Sequence, residues 1–232
     1  MLIINGDDIK VGGHNFMPQK EDTLKEIFKE AGAFITENEL PRPNRNKIEG
    51  TNLINEVINV YKKLGGKLDT IPCRLDKWDM EINNIAVELD EERHFNRYRQ
   101  ITLQAHVYDL LPMFPRTDYQ RYCQEYEDKC LRSASFGGYW TNPSCENQFG
   151  PASQPGVLTG HGSPRWKQRA FYDFLRDLSP LLINVPLVRI SIWDRVTLTN
   201  NNTVMVRDVL DRCNYEAAGS LLKLLNDRKP LC

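Results

Sequence analysis

The chain has 232 residues, 41% of them hydrophobic and 26% charged, and 30 basic against 31 acidic side chains leave a formal net charge of −1. This is the make-up of a water-soluble globule, large enough for one domain or for a domain with an insertion. No run of 18 apolar residues exists to span a membrane, and the balanced charge offers no general attraction to nucleic acid, so such binding would have to come from local basic patches or a metal.

The start, Met-Leu-Ile-Ile-Asn-Gly-Asp-Asp, lacks a basic region followed by a long apolar one, so no signal peptide is expected. The six cysteines, at 73, 123, 130, 145, 213 and 232, show no tight spacing. They read as reduced thiols of a cytoplasmic protein. Residues 1–19 form a short apolar start and then Gly12-Gly13, a loop or edge strand. Asp22 can cap a helix over 23–31, with Leu24, Ile27 and Phe28 on one face. Residues 41–50 are a polar connector whose Arg42, Arg45 and Lys47 could touch phosphates, a solvated linker being the simpler reading. Thr51 or Asn52 caps a helix over 53–64, whose stripe is Leu53, Val57, Val60, Tyr61 and Leu64, and Gly65-Gly66 ends it. Residues 68–75 then read as a strand.

Residues 76–94 are the most informative stretch. Trp78, Met80 and Ile82 alternate with polar residues, as do Ile85, Val87 and Leu89, and Asn83-Asn84 lies between the two runs. Asn tolerates the positive φ of a two-residue hairpin turn, so the pattern predicts a hairpin with strands near 77–82 and 85–90. The turn fixes the register: Asp79, Glu81, Glu88 and Asp90 share one face and the six apolar residues the other. Like charges facing each other across strands are destabilising. Hard divalent cations take carboxylate oxygens, and Mg²⁺ commonly uses one or two carboxylates with waters and a phosphate. A solvated acidic face screened by Lys77 and Arg93 is the competing explanation.

Residues 91–111 read as helix, with Arg93, His94 and Arg97 near its start, and 117–132 as a helix with a core stripe of Tyr119, Tyr122, Cys123, Tyr126 and Cys130. Residues 134–164 carry one charged side chain, Glu146, among many Gly, Pro, Ser and Asn, and read as a long loop of the functional or disordered kind. Its Phe136, Tyr139, Trp140 and Phe149 could stack on bases, or simply pin the loop down. A zinc site from Cys123, Cys130, Cys145 and His161 lacks paired ligands at short spacing, so zinc is not expected. Residues 165–178 are helical, with the apolar stripe Trp166, Ala170, Phe171, Phe174, Leu175 and Leu178. That stripe is expected to cover the hairpin's apolar face. An adjacent stripe of Arg165, Arg169, Tyr172 and Arg176 can follow a phosphate backbone or stand as an exposed face of snorkelling arginines. Pro186 opens a strand over 187–193, and 203–226 is mostly helical.

Helix, three strands with acids on the hairpin, helix, strand: this order resembles the PD-(D/E)xK nuclease superfamily. Val-Glu-Leu-Asp-Glu-Glu-Arg-His, residues 87–94, resembles its branch related to very-short-patch repair endonucleases, which carries an acid, an apolar residue and Asp-Gly-x-x-His. Glu88, Asp90 and His94 match, while Glu91 stands where Gly is expected. Asp79 matches the first acid, Glu56 a helix acid near the metal, and Arg189 the arginine of the closing Val-x-Arg strand. Asp90 occupies the place of the superfamily's lysine, as is usual in that branch.

The resemblance implies an α/β (α+β) fold with a restriction-endonuclease-like core, a central mixed sheet flanked by helices, and a helical and loop insertion. The boundaries would be an N-terminal extension at 1–50, the core at 51–94 and 165–200, the insertion at 95–164 and C-terminal helices at 201–232. It implies Mg²⁺ or Mn²⁺ on Asp79, Glu88, Asp90 and Glu56, with His94 moving a proton, in an endonuclease of repair, restriction or phage defence. Arg93, Arg97, Arg165, Arg169 and Arg176 would hold the nucleic acid, DNA being the first expectation. A protein partner could supply specificity. The alternative is a non-catalytic nuclease-fold module that binds nucleic acid or a protein. His14, His106 and His161 adjoin no acidic motif and have weaker claims.

Overall fold

A computed structural model of the chain describes residues 19–37 and 39–230. The reading of residues 1–18, with His14, lies outside them, as does Cys232. In order, the elements are α1 (Lys20–Glu30), β1 (Ile35–Thr36), α2 (Arg45–Glu49), α3 (Ile54–Lys63), β2 (Met80–Ile82) and β3 (Ile85–Asp90). A 3-10 turn, Glu92–His94, leads to α4 (Arg97–Thr102), a second 3-10 stretch (His106–Leu110), α5 (Arg116–Glu125) and α6 (Glu127–Ala134). Then come α7 (Gly137–Trp140), α8 (Pro143–Phe149), α9 (Pro164–Asp177), α10 (Ser179–Ile183) and β4 (Leu187–Ser191). The chain closes with β5 (Arg195–Thr197), β6 (Thr203–Met205), α11 (Val206–Asp211) and α12 (Ala218–Asp227). The protein is mixed α/β, and no described helix is long and apolar enough to cross a membrane.

The main sheet has the order β1-β2-β3-β4. The hairpin has the predicted turn: Asn83 and Asn84 take φ of 50° and 63°, and Met80 pairs with Val87, Glu81 with Ala86 and Ile82 with Ile85. β4 runs parallel to β3, with Glu88 opposite Arg189 and Asp90 opposite Ser191. Parallel pairing requires a crossover. Residues 91–186 make it, so the stretch read as an insertion at 95–164 is most of that connection. Its buried residues, Phe95, Tyr119, Trp140 and Phe149 among them, belong to the same apolar core as Val87 and Ile190.

Several expectations need correction. Residues 68–75 form no strand. Pro72 there has no N–H to give to a ladder, and the third antiparallel strand is instead β1, whose Ile35 pairs with Ile82. The helix expected over 91–111 is interrupted because Asn96 turns back to cap α4, its side chain accepting from the N–H of Tyr98 and Arg99. The 134–164 loop holds α7 and α8. Trp140 is buried, its indole N–H donates to the Ser153 carbonyl, and its ring meets Trp166 edge-on at 5.4 Å. The hairpin ladder begins only at Met80, so strict alternation does not reach Trp78, which packs with Ala86, Val185 and Leu187 on the acid-bearing face.

Helix α9 also covers that face. Its Asp173, Arg176 and Asp177 reach Arg189, Glu88 and Asp90 or their partners, while Phe171 and Phe174 are buried against the rings of Tyr61 and Tyr108, at 5.0 and 6.1 Å. The expected burial of both phenylalanines holds, in one apolar core with Met80, Val87 and Leu89, while the polar side chains of the helix meet the acid-bearing face. Buried acids on β3 need counter-charge more than an apolar surface needs this particular cover.

Trp140→Ala should lower unfolding free energy by about 3–5 kcal/mol, as large aromatic truncations in a core do. Phe136→Ala, four residues earlier on an exposed ring, should stay within about 0.5 kcal/mol. Denaturant unfolding measures both, and equal costs would show that α7 is not anchored through Trp140.

A candidate metal and phosphate site between the hairpin and helix α9

Alternation puts Ala86, Glu88 and Asp90 of β3 on one face, with Leu187, Arg189 and Ser191 of β4 beside them. Arg189 is buried there among three carboxylates. Its Nε lies 2.5 Å from Asp177 Oδ1 and its Nη1 2.7 Å from Asp90 Oδ1, and its Nη2 donates to the Asp173 carbonyl at 3.1 Å and lies 3.5 Å from Asp173 Oδ1. Asp177 is held from its other side by Arg99 at 2.7 Å and by the Tyr108 hydroxyl, and Tyr119 donates to Asp90 Oδ2 at 2.8 Å.

His94 stands at the edge of this cluster. Its Nδ1 lies 2.9 Å from Asp173 Oδ2 and 3.2 Å from Asp90 Oδ1. Burial penalises a charge on Asp173, but His94 and Arg189 together hold its carboxyl well below the usual range. Among the described residues, Asp90, His94 and Asp173 form the one group of three or more His, Cys, Asp or Glu side chains whose ligand atoms lie close enough to share a metal ion.

In front of the cluster opens a cavity of about 250 Å³. Asp76, Asp79 and Glu88 form its acidic wall. Arg165, Arg169, Tyr172 and Arg176 line it from α9, with His94 and Asp173 between and Glu21 and Glu91 also lining it. Asp79 precedes the ladder. Its Oδ2 accepts from the Leu89 N–H at 2.8 Å, yet burial, with Glu21 and Asp90 nearby, pushes its pKa up to about 6. Glu88 is buried, and burial raises its pKa well above the carboxylate range, with Asp79 adding to the effect. Arg176 Nε lies 3.1 Å from Glu88 Oε1 but is not aligned to donate, so that buried oxygen accepts no hydrogen bond. Arg165 and Arg169 have no carboxylate within ion-pair distance among the described residues. Arg165 bonds Gln168, and Arg169 donates to the Arg93 carbonyl at 3.4 Å.

The structure thus brings Asp79, Glu88, His94, Arg165, Arg169 and Arg176 to one cavity. Asp90 stands behind His94 as the partner of Arg189 and Tyr119, and with His94 and Asp173 it keeps a ligand atom within reach of a shared metal ion. Glu56 does not line the cavity, and its carboxylate accepts from the His106 N–H at 2.8 Å. Arg97 faces elsewhere, in a two-point pair with Glu127. Arg93 lies over the Tyr139 ring, 4.0 Å from its centroid. Of the cysteines weighed for zinc, Cys130 bonds Asn96 and the Arg93 carbonyl, and Cys145 bonds its Asn142 cap. A second cavity, about 180 Å³, is walled by Leu111, Pro112, Pro180 and Leu181 and has Asp177 as its one ionisable lining residue among the described residues.

Sequence reasoning missed Asp173, Asp177, Arg99 and Tyr119. A signal existed for two of them. Asp173 and Asp177 lie four apart between the apolar positions Phe171, Phe174 and Leu178, where a carboxylate needs a buried partner.

A model of a family of unknown function (DUF7255) matches residues 59–212, more than half of the chain. No curated protein and no solved structure matches it.

Arg189→Met should cost about 3–5 kcal/mol in denaturant unfolding, because it strands buried carboxylates; a near-neutral result would mean that the cluster is not held by this guanidinium. Asp79 gives a pH test. Its folded pKa of about 6 exceeds the unfolded value near 3.8, so its contribution is present below the unfolded value and is lost as pH rises through about 6. Asp79→Asn should flatten the fall in stability over that window, and an unchanged pH profile would refute the assignment.

Proposed function

The chain belongs to the DUF7255 family, and we propose that it is a metal-dependent endonuclease that hydrolyses nucleic-acid phosphodiester bonds, DNA first. The observation that carries this reading is the composition of one cavity: a carboxylate wall from the hairpin facing an arginine wall from α9. A phosphate diester with a divalent cation complements both walls at once. The hairpin, followed by a helix and a parallel strand bearing Arg189, supports kinship with the PD-(D/E)xK nucleases and a restriction-endonuclease-like core, with β1 in the position expected of a strand at 68–75.

The residues fit a cation on two counts. Glu88 has a buried oxygen without a hydrogen-bond donor, and burial makes the charge on Asp79 and Glu88 unfavourable until a cation offsets it. Asp79 and Glu88 would hold Mg²⁺ or Mn²⁺, which lowers the pKa of a bound water and stabilises charge on the phosphate. Arg165 and Arg169, with no carboxylate within ion-pair distance among the described residues, take the non-bridging phosphate oxygens; guanidinium forks suit that geometry. Asp173 and Asp90 engage Nδ1 of His94 and leave Nε2 for the substrate. That nitrogen can move a proton at the attacking or leaving oxygen. Asp90 and Asp173 are positioning residues in this scheme.

One observation favours a second reading. Arg176 already lies beside Glu88, as it would in a non-catalytic module that binds nucleic acid or a protein partner.

A cleavage assay over plasmid, linear, nicked and single-stranded substrates with Mg²⁺ and Mn²⁺ separates the two. We expect metal-dependent cleavage that chelation abolishes, and Asp79→Asn or His94→Ala should each lower the rate by roughly a hundredfold or more. Binding of these substrates without cleavage under any metal would select the module.

A further inference from the structure

We propose that Phe136, Tyr139 and Arg93 form a stacking platform for an unpaired base next to the phosphate held in the cavity, so that the substrate is single-stranded or locally unpaired. This inference rests on the nuclease reading and specifies its substrate.

The platform combines a rigid mount with an exposed aromatic surface. Trp140 is locked in the core by Trp166 and by its bond to Ser153, and its backbone carbonyl accepts from Ser163, the cap of α9, at 2.6 Å. One residue before this anchor, Tyr139 is 39% exposed, and Phe136 is 53% exposed. Their rings meet edge-on at 5.3 Å. The Arg93 guanidinium lies 4.0 Å above the Tyr139 ring centroid, adding a planar cation to the same surface. Gly137 and Gly138 separate the two aromatics, and a Cβ built on either meets nothing within 4 Å, so the backbone between the rings is open to a ligand.

Position selects the occupant. Arg93 immediately precedes His94, and its carbonyl accepts from Arg169, so the platform adjoins the arginine wall of the cavity. A group stacked there is joined to a phosphate gripped by Arg165 and Arg169, and a nucleobase has both the flat π-face and the phosphate tether. A paired base is sandwiched by its neighbours and cannot present that face. Because Trp140 fixes the mount, little ordering entropy opposes stacking.

The test is fluorescence anisotropy with a labelled single-stranded oligonucleotide, the same strand carrying abasic sites, and a blunt duplex. Ca²⁺ replaces Mg²⁺ to suppress cleavage. Phe136→Ala/Tyr139→Ala should weaken the normal single strand roughly tenfold or more and leave the abasic strand within about twofold. Arg165→Ala/Arg169→Ala should weaken all three. If the aromatic variant binds the normal strand like wild type, or loses both single strands equally, the platform is refuted while the phosphate site stands. If the wild type binds no oligonucleotide, both readings fail. Circular dichroism and melting of the variants exclude loss of fold as the cause.

Discussion

The structure depends on one guanidinium. Arg189 sits fully buried where β4 pairs with β3 and α9 crosses behind them, and it satisfies Asp90, Asp173 and Asp177 together. A buried arginine is costly to desolvate, and three acids around it would be costlier without it. The partners come from two distant parts of the chain: Asp90 from the hairpin, and Asp173 and Asp177 from α9, late in the crossover. Arg99, Tyr108 and Tyr119 extend the network into the crossover helices. The contact therefore fixes the position of α9 on the sheet, and through α9 the position of Arg165, Arg169 and Arg176. Another buried carboxylate, Asp194, ties down the end of β4, accepting from Arg228, Tyr122 and the Ser191 N–H.

Because Arg189 neutralises Asp90, Asp173 and Asp177 in the interior, the unbalanced charges lie beside them, in the cavity on the same face of the sheet. Burial raises the pKa of Asp79 and Glu88, and Arg165 and Arg169 have no carboxylate within ion-pair distance among the described residues. Charges that are buried, uncompensated and aimed at a common cavity cluster at functional sites. The Arg176–Glu88 contact bridges the two walls. Displacing Arg176 from Glu88 would free a guanidinium for phosphate and a carboxylate for a cation in one movement.

Local rules made much of this legible. Asn83-Asn84 between alternating strands specifies its own register, so Glu88 and Asp90 could be placed on one face from spacing alone. The α9 stripe of Arg165, Arg169, Tyr172 and Arg176 follows from helical periodicity, and all four side chains line the cavity. Other features depend on partners far apart in sequence. Nothing near Asp90 shows that Arg189, 99 residues later, will claim it, and spacing could not separate a cavity acid from one buried behind it. Glu56 was read by analogy to a helix acid, whereas its use as a cap for His106 follows from the break in the following helix. Residues 68–75 have strand composition but no neighbouring strand to pair with. The stretch at 134–164 reads as a loop because its short helices, α7 and the Asn142-capped α8, carry little periodic signal.

The central claim is that Asp79 and Glu88 hold a divalent cation facing the arginines of α9. A crystal grown with Mn²⁺ and a non-cleaved dinucleotide tests it directly, because anomalous scattering locates the ion without assumption. The account predicts a peak bound by Asp79 and Glu88, with Arg176 withdrawn from Glu88 and a phosphate oxygen completing the coordination. A peak held instead by Asp90, His94 and Asp173, or no peak at a saturating Mn²⁺ concentration, would contradict it.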